Sequence, residues 1–414
     1  MSEGFQTIGY AARIAFVVEL AERLHTYGTT AQRLEGALIL VSQKLGLDCE
    51  PIANPTGMVL SFSDPARPPG DSDTTRVIRV PPGDNDLAKL CEADRIAEDV
   101  IAGRVGLAEG YAALRALDRP PLLREKIMLA LAFGLASASV AGLLRLPWLD
   151  IGTAGLIGLL VGVVDWVSAS RPRLREANEA ISAMLAATVA ILVAKFVGPL
   201  NLNTVVIAAL IVLMPGMSLT NAVNELTSQN LISGTARFAG AISTMLKLTV
   251  GTMIALTAAQ VLGVDPQVRA LRPQPAWVEW GALLSGVLAF AVLFRAARRD
   301  YPLVMVAAMA GYLIPRLVGD SWGSTAGIFL SALVLTAAGN AYARWAQRPG
   351  ALVRVPGIIL MVPGSASVRS VLTLIQQQDL AAGQQAALAV VNILLALVAG
   401  LLFGNLLLPT RRNL

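Results

Sequence analysis

Three ionisable side chains lie in or beside long apolar stretches of the sequence, where a charged group needs a partner or a function. They are Glu225, Lys247 and Asp165. Burial brings the titration of a carboxyl group toward neutral pH, so Glu225 is a candidate for binding an ammonium group or carrying a proton. Lys247 lies deep in an apolar run, and Glu225 or Asp165 is its expected partner. The alternatives are that both acids are solvated at helix ends and that Lys247 makes a purely structural ion pair.

A Pro-Gly pair interrupts two apolar runs, in LMPGMSLTNAVNEL and LMVPGSASVRSVL. Pro lacks a backbone donor and Gly is a poor helix former, so we expect helix breaks at Pro215-Gly216 and Pro363-Gly364. A helix that restarts after a break presents free N–H groups to a carboxylate. The candidate binding residues follow the breaks and are Gly216, Ser218, Thr220, Asn221, Asn224, Gly364, Ser365 and Ser367. The simpler interpretation is that the hydroxyl side chains only cap helices.

Further polar residues occupy matching positions in the two halves of the chain. Ser243 and Asn392 each lie nine residues after a glycine that ends the preceding polar stretch. We therefore expect both side chains to line the same interior at similar depth, where they can bind a polar ligand. Arg369 corresponds to Asn221 in the other half, and it either binds a carboxylate with two hydrogen bonds or only sets the topology.

Composition places these residues in a membrane protein. The chain is 55% hydrophobic and 15% charged, and its mean hydropathy is +0.62, which exceeds the range of ordinary soluble domains. From about residue 121 the sequence consists of ten apolar blocks, and a bilayer-spanning helix needs roughly 20 apolar residues. The two blocks that end in Pro-Gly are unusually short.

The charge distribution predicts the topology. Ten alternating spans place fifteen Lys and Arg residues on one face and six on the other, which makes the first face cytoplasmic. Five spans separate the Pro-Gly pairs, so the two breaks have opposite orientations, as in transporters built from inverted repeats. We predict a polytopic α-helical membrane protein with ten transmembrane helices, of which the fourth and ninth are broken. Residues 121–263 and 276–410 form two inverted five-helix repeats, and residues 1–120 form a small α/β N-terminal cytosolic domain.

The N-terminal domain carries the only histidine of the chain, His25. With Ser61 or Asp64 it would suggest a hydrolase, but a nucleophile elbow and a second histidine are absent from the sequence. A histidine at a helix end is the favoured interpretation. Cys49 and Cys91 lack a CxxC spacing, so we expect free thiols in a reducing compartment. The sequence has no Walker A motif, which argues against ATP-driven transport by this chain alone.

Four stretches together resemble a known family. LHTYGTTAQRLEGAL and NPTGMVLSF in the soluble segment precede VLMPGMSLTNAVNELTSQNLISGTAR and VPGIILMVPGSASVRSV. In this order they resemble the threonine/serine exporter family, and the resemblance covers nearly the whole chain. It implies ten membrane helices, a cytosolic N-terminal domain and export of small hydroxylated amino acids driven by the proton gradient. The family commonly has Asp where this chain has Glu225, so the acid is kept with a longer side chain.

The expected function is therefore secondary active export of L-threonine and L-serine by proton antiport, without enzymatic activity. The expected partners are the amino-acid substrate, protons and the lipid bilayer, and a homo-oligomer is compatible with the sequence. We expect no cofactor, no metal site and no nucleic-acid partner. The first residues contain no short apolar region with a cleavage site, so we expect no cleaved signal peptide. We expect a multi-pass protein of a bacterial cytoplasmic (inner) membrane with both termini cytoplasmic. The alternatives are export of another small solute, a passive channel, and a membrane-anchored hydrolase with a catalytic N-terminal domain.

Overall fold

The structure, a computed structural model, describes residues 9–68, 73–267, 273–362, 364–376 and 380–409. An N-terminal domain of four helices and a three-stranded sheet precedes a bundle of long apolar helices. The elements of the N-terminal domain are α1 (Tyr10–Thr26), α2 (Ala31–Lys44), β1 (Asp48–Asn54), β2 (Gly57–Ser63), β3 (Thr74–Arg79), α3 (Leu87–Ile101) and α4 (Leu107–Ala116).

Apolar periodicity explains these elements. In α1 the fully buried residues Val17, Leu20 and Leu24 recur every three or four positions and form the inner face of the helix. The sheet has the antiparallel order β1-β2-β3, and the hairpin between β1 and β2 turns at Pro55-Thr56. The side chain of Asn54 stabilises this turn by accepting a hydrogen bond of 3.0 Å from the Thr56 backbone N–H. Alternate residues of β2 are buried, so one face of the sheet packs on the helices.

The two halves of the bundle have the same order of long and short helices. The first half contains α5 (Leu123–Leu143), α6 (Trp148–Ala169), the short α7 (Pro172–Glu176), α8 (Asn178–Phe196), α9 (Leu202–Ala209), α10 (Gly216–Thr227) and α11 (Leu231–Val261). The second half contains α12 (Ala276–Leu293), α13 (Tyr301–Trp322), α14 (Ser324–Ala346), α15 (Ala351–Ile359), α16 (Gly364–Gln376) and α17 (Leu380–Leu407). In each half three long helices are followed by a pair of short helices and one more long helix.

Within the described residues, nine segments are long and apolar enough to cross a membrane. The pair Leu202–Ala209 with Ile211–Thr227, bent by 59°, makes ten if it counts as one span. The first short pair is interrupted over more residues than the sequence predicts, because α9 ends at Ala209 and a 3₁₀ turn (Ile211–Leu213) precedes Pro215. In the second pair α15 ends at Ile359 and α16 begins at Gly364, while Pro363 lies outside the described residues.

The N-terminal domain packs against one end of the bundle. The Leu87 backbone N–H donates to the carbonyl of Phe294 at 3.0 Å, and the next N–H donates to Arg295 at 3.2 Å. Leu87 and Cys91 share an apolar cluster with Phe290 and Phe294. We call this end of the bundle the domain-side face and the opposite end the distal face. The domain therefore closes over the ends of helices whose other ends reach the distal face.

Candidate functional site

The two helix interruptions meet in the middle of the bundle. A methyl group placed on Gly216 would lie 3.1 Å from the backbone nitrogen of Gly364 and 3.2 Å from its Cα, and it would overlap the side chain of Val362. A methyl group on Gly364 would lie 3.3 Å from the Gly216 backbone. Only residues without a side chain allow this approach of two backbones. The N-terminal ends of α10 and α16 are thereby brought to the same point.

A central cavity of about 230 Å³ lies beside this contact. Gly216, Gly364 and Ser365 line it, together with Met217 and the ring of Tyr312. Its other walls are apolar side chains of α5, α12 and α15. An apolar cavity with a few polar groups and two helix N-termini can orient a small ligand that carries a carboxylate.

A distal cavity of about 560 Å³ opens beyond the central one and shares Tyr312 with it. Glu279, Tyr312 and Arg316 form a polar group on its wall. The Tyr312 hydroxyl donates to Glu279 Oε1 at 2.7 Å, and the Arg316 guanidinium pairs with the same carboxylate. The anionic and the cationic group of this wall are thus paired with each other.

A smaller cavity of about 90 Å³ lies between the bundle and the N-terminal domain, and we call it the domain-side cavity. Asn221 and Asn224 of α10 face it, as does Arg354 of α15, and Arg33 of α2 lines it from the N-terminal domain. Met217 lines both this cavity and the central one. The three cavities therefore follow one another from the distal face to the N-terminal domain.

Glu225 is fully buried at the junction between α10 and the N-terminal domain. Its Oε1 accepts a hydrogen bond of 3.1 Å from the Ala31 backbone N–H at the first residue of α2. Both carboxylate oxygens accept from the Arg237 guanidinium, at 3.1 and 3.2 Å, and the Ser233 hydroxyl donates to Oε2 at 2.8 Å. This carboxylate joins the domain to the bundle, and a change in its charge would alter three contacts at once.

The predicted pairing of Lys247 with Glu225 or Asp165 is wrong. Lys247 Nζ donates to the backbone carbonyl of Glu176 at 2.8 Å and lies 3.4 Å from the Glu179 carboxylate. The reason is the face of α11 on which Lys247 lies, because this face meets the end of α7 at Glu176 and the start of α8 at Glu179. Asp165 accepts a hydrogen bond of 3.0 Å from the Asn178 side chain.

The predicted interior position is also wrong for Ser243 and Asn392, whose side chains are exposed. In α11 the buried residues include Ala241 and Met245, and Ser243 projects from the opposite face because two residues turn a helix by about 200°. Asn392 has the same relation to the buried neighbours Val390 and Leu394 of α17. Matching positions in the two halves do not bring these side chains to a shared cavity.

The remaining candidates lie near the breaks. Thr220 is buried, and its hydroxyl has no hydrogen-bond partner among the described residues. Ser218 is partly buried, and Ser367 is buried in α16. The side chain of Arg369 lies outside what the structure describes.

The three residues of the hydrolase alternative each make contacts elsewhere in the N-terminal domain. The His25 ring is buried with Nε2 3.2 Å from the carbonyl of Pro55, and burial lowers the pKa of this histidine. The Asp64 carboxylate instead pairs with the Arg13 guanidinium at 2.7 Å. Ser61 lies within β2, opposite Glu50 of β1. Among the described residues no group of three or more His, Cys, Asp or Glu side chains could hold a metal ion.

Arg354, Arg33 and Glu279 are polar residues of the cavities that were not among the predicted site residues. Arg354 interrupts an apolar run, a signal that marks functional residues in membrane helices, yet it was only counted among the fifteen Lys and Arg residues of the cytoplasmic face. It is buried, and Nη1 lies 3.4 Å from the Asn340 side chain, which also donates to Asn405 at 2.9 Å. Arg33 lies in an ordinary amphipathic helix, where nothing in the sequence distinguishes it. Glu279 was hidden by its position at the start of an apolar block.

Family models match both halves of the chain. The ThrE model of threonine/serine exporters matches residues 15–259, which include the N-terminal domain and the first half of the bundle. A second model, "Threonine/Serine exporter, ThrE", matches residues 282–407. No solved structure matches the chain.

The chain also matches curated relatives, at low sequence identity. The chain is 24% identical over 386 residues to pheromone-regulated membrane protein 10 of Debaryomyces hansenii, which covers 89% of this chain and 37% of the relative. The protein of the same name in Pichia sorbitophila is 25% identical over 385 residues, covering 89% and 38%. An uncharacterized protein of Schizosaccharomyces pombe is 23% identical over 371 residues, covering 85% and 47%. The chain thus spans less than half of the length of each.

These relatives come from yeasts. The prediction of a bacterial inner membrane is therefore wrong, since these matches are to eukaryotic proteins. The apolar pattern that led to it identifies a membrane but not the organism or the compartment. A multi-pass membrane protein is supported by the family and by the membrane-length helices.

Proposed function

Since the chain belongs to the ThrE family of threonine/serine exporters, we propose that it exports L-threonine and L-serine across its membrane in exchange for protons. The N-terminal domain faces the cytoplasm in this proposal. The observation that carries it is the contact between Gly216 and Gly364, with one cavity leading to the distal face and another to the N-terminal domain. Export then requires that these two sides open alternately to the centre.

The directions of the short helices support two inverted repeats. The helix α10 starts at the central contact and reaches the N-terminal domain at Glu225, which accepts from Ala31. The helix α15 starts against the domain, where Leu352 packs with Leu87, and leads to the centre. The two broken helices therefore cross the bundle in opposite directions, as inverted repeats require.

Cysteine labelling tests this arrangement. We expect Ser218→Cys to react mainly from the domain side and Ser365→Cys mainly from the distal side, with opposite changes when substrate is added. If both cysteines open only to the same side throughout the cycle, the inverted arrangement is rejected.

The central cavity is the proposed substrate site. The free N–H groups of α10 and α16 stabilise the substrate carboxylate through the positive ends of the helix dipoles. Ser365 lines this cavity, and Asn221 and Asn224 receive the substrate on the domain side. Glu225 carries the coupling proton in this proposal, because it is buried and is the only acidic residue of α10.

Uptake into inverted membrane vesicles tests the function. Labelled L-threonine should accumulate when a proton gradient is imposed and should only equilibrate when the gradient is dissipated. Equal uptake in both conditions would identify a channel. Release of a hydrolysis product without uptake would identify an enzyme.

A second candidate is export of another small solute on the same scaffold. The names of the yeast relatives refer to pheromone regulation and the membrane and name no amino acid. Competition in the same vesicles separates the candidates, because an amino-acid exporter is inhibited by unlabelled L-serine. A gradient-driven exporter that ignores both amino acids would favour the second candidate.

A further inference from the structure

The domain-side cavity contains more positive charge than its walls compensate. Arg33 and Arg354 both line it, and none of the described residues that line it is Asp or Glu. Glu225 is close to α2, but its two oxygens are already engaged by Arg237, Ser233 and Ala31. The cavity therefore has two cationic side chains and no anion of its own.

Arg33 is the less compensated of the two. Within the described part of the chain its guanidinium has no hydrogen-bond or ion-pair partner. Burial lowers the pKa of Arg33 to about 10, so the group stays charged at neutral pH. Five N–H donors in a rigid fork are suited to bind a carboxylate or phosphate with two hydrogen bonds. A partly buried guanidinium without a partner is costly unless a ligand supplies one.

The neutral groups of the cavity fit the same ligand. Asn85, Asn221 and Asn224 offer amide donors and acceptors, and the buried Thr29 hydroxyl has no partner among the described residues. A ligand ammonium group can donate to these oxygens while its carboxylate faces the guanidinium groups. The cavity of about 90 Å³ is several times the volume that one water needs, roughly 10–15 Å³, so it admits a small molecule only.

We propose that this cavity is a binding site for the α-carboxylate of a small amino acid, with Arg33 of the N-terminal domain as its anchor. The inference rests on the proposed function for the identity of the ligand, but not for its carboxylate. Because Arg33 belongs to the domain while Asn221 and Arg354 belong to the bundle, the site is complete only when the domain is docked. Binding of substrate at this site is thus coupled to the contact between domain and bundle that closes the domain-side face.

Isothermal titration calorimetry of the purified full-length protein measures ligand affinity and tests the site. The probes are L-threonine, L-threoninamide, acetate and inorganic phosphate, and the variants are Arg33→Gln and Arg33→Lys. The matched control is Arg79→Gln, because Arg79 is an exposed arginine of β3 in the same domain. The central cavity keeps its own site in the proposed function, so the isotherm is fitted with two sites. We expect Arg33→Gln to weaken L-threonine binding at one of them at least tenfold, Arg33→Lys to weaken it less, and Arg79→Gln to leave both unchanged. L-threoninamide, which lacks the carboxylate, should bind weakly to all variants.

Failure of the site and failure of the proposed function give different results. Unchanged L-threonine binding in a folded Arg33→Gln variant, or equal binding of the amide, would overturn the site while export could stand. Arg33-dependent binding of acetate without any binding of L-threonine would support the carboxylate site and reject the amino acid as its ligand. Binding of phosphate in preference to both would overturn the carboxylate assignment. If Arg33→Gln does not fold, the Arg33→Lys variant decides by the same comparison.

Discussion

Gly216 and Gly364 touch through their backbones where two interrupted helices meet at the centre of the bundle. The two glycines lie far apart in the sequence, and each follows a proline. The helices α10 and α16 begin at these glycines, and each glycine leaves room for the other chain segment. The glycine of each Pro-Gly pair is thus explained by one contact that requires a small residue on both sides.

Gly216→Ala should disrupt this contact. The added methyl group would overlap Val362 and press on the Gly364 backbone, and overpacking of this kind typically costs about 1–3 kcal/mol. We expect reduced thermal stability and loss of most vesicle accumulation. Gly240→Ala is the matched control, because a methyl group at Gly240 of α11 meets no atom within 4 Å. Equal behaviour of the two variants would show that the central contact is not needed.

Glu225→Gln should abolish gradient-driven accumulation and leave substrate exchange at least partly intact. An amide has nearly the shape of a protonated carboxyl group but cannot release a proton. Comparison of accumulation with exchange in the same vesicles measures the difference. Full, pH-sensitive accumulation in the amide variant would remove Glu225 from the coupling mechanism.

Glu225 also pairs with Arg237, so Glu225→Gln leaves this arginine without its partner. The test must separate this structural effect from the loss of proton coupling. Loss of one member of a buried ion pair costs about 3–5 kcal/mol, whereas removal of both costs less. The double variant Glu225→Gln/Arg237→Gln should therefore recover stability. If it also recovers accumulation, Glu225 acts only as a docking contact. If accumulation stays lost in the stable double variant, proton coupling is supported.

Much of the fold follows from the sequence, because the length of an apolar block and a Pro-Gly pair that interrupts it are local signals. They predict the membrane helices and the N-terminal helices and strands. The contact between Gly216 and Gly364 joins distant parts of the chain, and the sequence predicted the two breaks but not their contact. The exposed positions of Ser243 and Asn392 show that equal spacing from a glycine does not fix which face of a helix a residue occupies.

The domain-side cavity could not be predicted, because it forms between parts of the chain that are distant in sequence. Arg33 has no local signal, and its importance comes from the lack of a hydrogen-bond or ion-pair partner among the described residues. Lys247 lies in an apolar run, which predicted a partner in the bundle interior, but hydropathy alone does not show which neighbouring helices a side chain of α11 faces. The tertiary partners of the helix decide such cases.

Cys91 should report undocking of the N-terminal domain. It packs against Phe290 and Phe294 of the bundle, and burial raises the pKa of its thiol to about 12. Below that pKa the thiolate fraction rises about tenfold per pH unit, so alkylation of the docked protein is slow at pH 8 and accelerates with pH. Arg237→Gln, which weakens the docking contact, should speed Cys91 alkylation at pH 8 by at least about tenfold.

Cys49 is the internal control for this measurement. It is buried in the core of the N-terminal domain, where burial raises the pKa of its thiol to about 11. Its alkylation requires unfolding of the domain and should not change with docking. Parallel acceleration of both thiols, read by mass spectrometry of the alkylated peptides, would indicate unfolding instead of undocking.

Lys247→Gln should have little effect on stability or export. The ammonium lies 3.4 Å from Glu179, and the two side chains are 39% and 25% exposed. Exposed ion pairs contribute about 0–1 kcal/mol because solvent screens the charges. Thermal unfolding and vesicle accumulation measure the effect, and Glu179→Gln serves as the reciprocal variant. Loss of accumulation in a stable Lys247→Gln protein would restore Lys247 as a functional residue.

The substrate hydroxyl should decide selectivity. A site that hydrogen-bonds a hydroxyl rejects the analogue without one, because its buried polar groups then lack a partner at roughly 1–3 kcal/mol per group. L-threonine should therefore be preferred over its near-isostere L-valine by about tenfold to a hundredfold on that estimate. Asn221→Leu should narrow the preference mainly by weakening L-threonine, because Asn221 faces the domain-side cavity. Asn392→Leu is the matched control, since Asn392 is exposed on α17 and should leave the preference unchanged. Transport competition measures both variants, and equal transport of L-valine and L-threonine by the unmutated protein would show that the hydroxyl is not recognised.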